Sequence, residues 1–252
     1  PMKNYQEINL AAGVETEATD VAGGLAMGMG IAILFYLTAM GASGYLLQSL
    51  GKEKQNRVME ILLSSARPCE LLVGKIIGLG GIGIIQIVVW SAIALTVFRG
   101  ESSFLTNISL PTLAPGTWVV IVLHFIVGYL VYSSLFAGLG AITPGTKESS
   151  QYTFFIMLPT FLPMWFNSVL ISAPNGTMAM TLSFIPLTAP ITVPMRLAIT
   201  AVPVWQWVLS LSLSLATAVL LIWLATKLFH SRTLLSGKTL GLKTAWQILR
   251  EA

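Results

Sequence analysis

Few residues in this sequence could make or break bonds. Gly41-Ala42-Ser43-Gly44 has the G-x-S-G form that presents a serine nucleophile in intramembrane proteases, and His124 is the candidate base. Cys69 is the one cysteine, and His124 and His230 are the two histidines. That is too few for a disulfide framework, a zinc site of several thiolates or a polyhistidine centre. No G-x-x-x-x-G-K-[ST] segment occurs, so ATP phosphates have no standard cradle here. Whether Ser43 and His124 can meet depends on the elements that carry them.

Those elements are membrane-spanning helices. Of 252 residues, 55% are apolar and only 10% charged, with mean hydropathy +0.80. A soluble domain carries about 25% charged residues, so this chain cannot cover a water-facing surface. Uncharged stretches separate Asp20 from Lys52 and Lys75 from Arg99, each long enough at ~1.5 Å per residue to cross a ~30 Å hydrocarbon layer. Turn formers in SSFLTNISLPTLAPGT delay the next helix. The expected architecture is all-α, with five spans at 22–50, 75–98, 118–142, 151–172 and 204–228. Ser43 then lies deep in its helix and His124 near the external end of another, roughly 20 Å apart along the membrane normal. They cannot share a proton, so the protease reading fails and His124 is read as a hydrogen-bonded packing residue.

Orientation follows from the cations. Eleven of the fourteen Lys and Arg residues fall in alternate connections: Lys52, Lys54, Arg57, Arg67 and Lys75, then Lys147, then Lys227, Arg232, Lys238, Lys243 and Arg250. Cationic loops stay in the cytoplasm, which leaves Lys3, Arg99 and Arg196 outside. The expectation is an external N-terminus with a leader at 1–20, a permease domain over 21–252 and a cytoplasmic tail at 229–252. Residues 1–20 contain no apolar stretch that could export them. A further span is therefore expected upstream of Pro1.

Small residues at four-residue spacing, Gly24, Gly28 and Ala32, and Gly74 and Gly78, mark faces for close helix packing. Pro159 and Pro163 each remove an internal hydrogen bond and predict a kink that could line a pathway. The external block TLSFIPLTAPITVPMRLA has prolines at 186, 190 and 194, too many for a span, and is too apolar for a solvated loop. A pair of short re-entrant helices fits it, with Arg196 expected as an anchor at headgroup level.

The most informative segment is GKEKQNRVMEILLSSARPCELLVGK, from Gly51 to Lys75. Glu53 to Leu63 reads as a short amphipathic helix, with Val58, Ile61, Leu62 and Ser65 on one side. Ser65 is expected to cap the next helix ahead of Pro68, with Glu70 near its positive end. A charged, partly apolar helix between two spans is a docking surface for a soluble partner.

The pattern E-K-x-x-R-V-M-E-I-L-L-S-S from Glu53, followed by L-L-x-G-K at 71–75, resembles the cytoplasmic loop of ABC-2 type exporter permeases. TKESSQY at 146–152, SFIPLTAPITVPMRLA at 183–198 and the tail LLSGKTLGLKTAWQILREA at 234–252 are similar to the same family. The likeness is greatest to the sodium-efflux or multidrug subgroup, which carries a first helix and a large external domain upstream. It implies a multi-pass protein of the cell membrane that forms half of an ATP-driven exporter. Its partners would be a second permease copy, identical or related, and a nucleotide-binding ATPase; no nucleic acid is implied. ATP and Mg would sit on the ATPase, with no cofactor or metal on this chain. Glu53, Arg57, Glu60, Leu62, Leu63 and Arg67 would form the coupling surface.

A gradient-driven carrier or channel places ionisable groups in its spans, yet all ten acids fall outside the spans drawn here. That favours an apolar to weakly polar path and a lipophilic or amphipathic cargo. A structural subunit of a larger membrane assembly is the remaining alternative.

Overall fold

The computed structural model describes residues 6–9, 14–56, 58–99, 113–143 and 146–230. A small antiparallel hairpin opens it, β1 (Gln6–Asn9) and β2 (Val14–Glu17), with Gln6 opposite Glu17. The rest is helical. Helix α1 (Ala18–Phe35), a π-helical turn (Tyr36–Met40) and α2 (Gly41–Gln55) join through helical dihedrals at Phe35 and Gly41 and make one continuous rod. The candidate span within it, Gly23–Gln55, runs 33 residues and carries Lys52, Glu53 and Lys54 at its end. The short α3 (Val58–Ser65) precedes α4 (Pro68–Arg99) and α5 (Pro115–Ile142). Then come α6 (Thr146–Trp165), α7 (Asn167–Ser172), α8 (Thr177–Phe184), α9 (Ala189–Ile199) and α10 (Val204–His230).

Among the described residues, four helices are long and apolar enough to cross a membrane: Gly23–Gln55, Pro68–Trp90, Pro115–Ile142 and Val204–Leu228. The expected span at 151–172 is different in form. It is divided at Phe166 between α6 and α7, three residues after Pro163. Pro159 and Pro163 lie inside α6 and supply no backbone donor there. The i→i−4 bonds Phe166→Leu162 and Leu170→Phe166 persist across the joint at 3.0 Å each. α6 also begins in the polar run TKESSQY, which shortens its apolar part.

Helix α5 is the centre of the bundle, with 67% of its apolar window buried against 17% for α4. It packs on α10, α2 and α9. Gly128 makes the approach to α9 possible: a Cβ there would stand 2.7 Å from Phe35 Cε2 and from Pro190 Cγ. Phe35 meets Phe125 edge-on at 5.1 Å. The Tyr132 hydroxyl donates to Leu187 O at 2.6 Å and accepts from Thr160 Oγ1 at 2.7 Å, tying α5 to the α8–α9 turn and to α6. On α10, the buried residues Gln206, Ser210, Ser214, Ala218 and Ala225 are small or polar, and Leu228 adds an apolar one near the end.

The proline-rich block forms the pair α8 and α9, of which α9 is the more deeply buried. Thr188, Ala189, Ile191 and Val193 are fully buried, while Ile185 at the turn is 39% exposed. Arg196 corrects the expectation of a headgroup anchor. It is fully buried, because α9 folds its side chain into the seam with α10. Its Nε donates to Pro174 O at 2.7 Å and Nη1 to Ser183 Oγ at 2.8 Å. Its Nη2 donates to Asn175 Oδ1 at 3.0 Å and to Gln206 Oε1 at 2.7 Å.

Candidate functional site

The charged connection between the first two apolar helices is built differently from its sequence reading. The first rod continues to Gln55, so Glu53 ends α2 and does not begin the short helix. The break falls at Asn56, whose φ of −87° and ψ of 6° leave the helical region. The short helix is Val58–Ser65 in place of Glu53–Leu63. Ser65 does not cap α4; its hydroxyl turns back to Ile61 O at 3.5 Å. Glu70 supplies the cap instead, accepting from the Arg67 backbone N–H at 3.2 Å, three positions ahead of Glu70. That is the reciprocal half of a capping box, and Pro68 fills the first helical position where no amide donor is needed.

α3 has two faces. Met59 is buried, and it lines a small apolar pocket with Leu63, Leu50, Pro68 and Leu72 that seats α3 on the bundle. Ile61 is 69% exposed and Val58 40%, one helical turn apart on the face turned away. Leu62 is half-buried and Arg67 exposed. Arg57, and the side chain of Glu60, lie outside the described residues.

Two polar ties hold the connection to the helices it joins. Lys75, on the first turns of α4, forms an ion pair with Glu53 at the end of α2. Ser49 Oγ donates to Glu53 at 2.9 Å and accepts from Lys75 Nζ at 2.8 Å. Glu53 is therefore engaged within the chain. The second tie is Lys54, whose Nζ donates to Ala141 O at 2.9 Å and Thr143 O at 2.8 Å. A cation there answers the carbonyls left unpaired at the C-terminal end of α5. From sequence, Lys54 and Lys75 stand out as charges of the cytoplasmic side and as members of the Glu53–Lys75 motif, not as ties between helices. The i, i+4 spacing of Ser49 and Glu53 along α2 is legible in the sequence; their partner Lys75, 22 residues beyond Glu53, and the α5 carbonyls, 87 residues beyond Lys54, are not.

Ser43 Oγ lies 3.1 Å from Ser133 Oγ, a buried contact between α2 and α5. His124 is nine residues along α5 from Ser133, ~13 Å at helical rise. Its Nδ1 pairs with Val120 O at 2.9 Å, so Ser43 has no base beside it. Gly24 and Gly28 face α9: Cβ atoms there would meet Ala198 O at 3.4 Å and Met195 Cα at 3.6 Å. At Gly74 and Gly78 a Cβ would meet nothing within 4 Å. Among the described residues no group of three His, Cys, Asp or Glu could hold a metal ion.

Residues 3–227 match the sequence model of the ABC-2 family transporter proteins. The chain belongs to that family. As an ABC-2 permease it is a multi-pass membrane protein and a transporter component. It is similar to the uncharacterized protein MJ1024 of Methanocaldococcus jannaschii, 34% identical over 221 residues, which is 88% of this chain and 53% of that protein. It is also similar to the uncharacterized protein YhaP of Bacillus subtilis, 26% identical over 226 residues, 87% of this chain and 54% of that protein. The ABC-2 permease thus spans about half the length of these relatives. No solved structure matches it significantly.

Proposed function

We propose that this ABC-2 permease forms the membrane half of an ATP-driven exporter, with α3 as the element through which a separate ATPase subunit acts. The observation that carries the reading is the division of α3: Met59 and Leu63 anchor it, while Val58 and Ile61 expose apolar surface beside charged residues. Scattered exposed apolar residues need no explanation, but these two stand on one face of a helix that has no length to cross a membrane. A groove in a soluble partner fits such a face.

Displacement of α3 has two routes into the bundle. Through the Glu53–Lys75 pair it loads the ends of α2 and α4 together. Through Lys54 it reaches the C-terminal end of the central α5. Rigid helices with fixed ends transmit such a push as rotation or shift, which is the means by which the seam between two permease copies would open alternately to each side. In this reading the N-terminal end of the chain lies outside, the α2–α4 connection faces the cytoplasm, and the cargo is lipophilic or amphipathic. Glu53 acts within the connection, and Ile61, Leu62 and Arg67 take over as the leading contacts.

Co-purification tests this. A tagged full-length protein, expressed with the ATPase encoded beside it, should retain that ATPase, and Ile61→Asp should release it while the permease remains in the membrane. Retention that is indifferent to Ile61→Asp, or no ATPase at all, refutes the assignment.

A further inference from the structure

A cavity of about 340 Å³ lies between the π-helical turn, α4 and α5. Its wall contains two hydroxyl groups, and both are engaged internally. Thr38 Oγ1 donates to Leu34 O at 2.7 Å, and the Tyr129 hydroxyl donates to Ile76 O at 2.7 Å. The remaining wall is hydrocarbon and glycine backbone. A cavity with no free polar group does not hold water and accepts apolar matter. Glycines make the space: Gly80 allows the Tyr129 ring to lie on α4, where a Cβ would stand 2.8 Å from its Cε1. At Gly81, which also lines the cavity, a Cβ would meet nothing within 4 Å.

Length and position name the occupant. The α4 part of the wall runs from Ile76 to Ile87, ~16 Å at helical rise, against ~15 Å for half of the hydrocarbon layer. It starts one residue after Lys75, whose ion pair with Glu53 ends the apolar part of α4 on that side. Its rim residues Ile77 and Ile84 are 68% and 57% exposed, so the cavity opens sideways from an apolar span. We infer that this cavity is a binding site for one acyl chain of a phospholipid from the leaflet next to the α2–α4 connection. The chain lies along α4 and touches the π-helical turn, a feature that recurs at functional sites.

The site is independent of any ATPase, so its test does not depend on the exporter reading. Full-length protein is reconstituted in vesicles of phosphatidylcholine and phosphatidylglycerol containing a trace of phospholipid with a photoreactive diazirine midway along one chain. After illumination, cross-linked peptides are mapped by mass spectrometry. Adducts on residues 76–87 and 125–130 should exceed, severalfold, those on the exposed face of α10 around Leu213 and Val219. Gly81→Leu should abolish that excess, and Gly74→Leu, equally unobstructed but outside the cavity, should keep it. Labelling no greater than on α10 overturns the site, whether or not the variants fold. So does an excess that survives Gly81→Leu, or one removed by an added lipophilic export substrate at concentrations that leave α10 labelling unchanged.

Discussion

Two cations show how much a single residue can carry in a chain with so few charges. Arg196 places four N–H donors on four neutral oxygens from the α7–α8 connection, α8 and α10, and thereby fastens the short helices α8 and α9 to α10. Its planar fork is what allows one side chain to reach all four, and an ammonium offers no such geometry. Arg196→Met should therefore lower stability by ~2–4 kcal/mol, since several buried acceptors lose their donors. Arg196→Lys should behave more like Met than like the native residue. Thermal unfolding of the purified full-length protein in detergent checks both, and a Lys variant as stable as the native protein would contradict the assignment. Lys54 is partly exposed and does less: Lys54→Met should cost ~1 kcal/mol by the same assay, through the uncapped end of α5.

Helices differ in how plainly their sequences announced them. The long spans were legible because charge gaps and apolar runs of this length have few other uses, and the block with Pro186, Pro190 and Pro194 was legible as a pair of short helices because three prolines interrupt it before it reaches spanning length. The boundary of α3 was not. Glu53 and Lys54 carry the same charge pattern whether they end one helix or begin the next, and only contacts with Lys75 and with α5 decide the matter. The burial of Arg196 was equally hidden, because a cation next to proline-rich apolar sequence reads as an interfacial anchor until its four acceptors are brought together by the fold. At this scale, Gly128→Leu should prevent stable packing of α9 on α5. Its side chain would overlap Phe35 and Pro190, an overpacking cost of ~1–3 kcal/mol or more, measured as loss of folded protein on size-exclusion chromatography. Met59→Ala should unseat α3 at a cost of ~2 kcal/mol, while Ile61→Ala, on the exposed face, should leave stability unchanged within ~0.5 kcal/mol. Equal effects of the two, in the same thermal assay, would mean that α3 has no inner and outer face.

The described residues form a bundle around α5 whose charged ties gather in two clusters, Arg196 in one and Glu53, Lys75 and Lys54 in the other. Such a layout suits a permease moved as rigid pieces from one end, since the middle contains packing and few ionic fixtures. Membership of the ABC-2 family agrees with the motif from Glu53 to Lys75, which was the strongest signal in the sequence. Cys69 gives direct access to the central claim. It is exposed at the start of α4, beside α3, and is the one cysteine of these 252 residues. Full-length protein, with any cysteine outside this segment replaced, can be treated with a membrane-impermeant maleimide in right-side-out and inverted vesicles, with and without the ATPase. Cys69 should be labelled only in inverted vesicles, and bound ATPase should slow the reaction. Labelling of Cys69 in intact right-side-out vesicles would place the connection on the wrong side of the membrane and contradict the account.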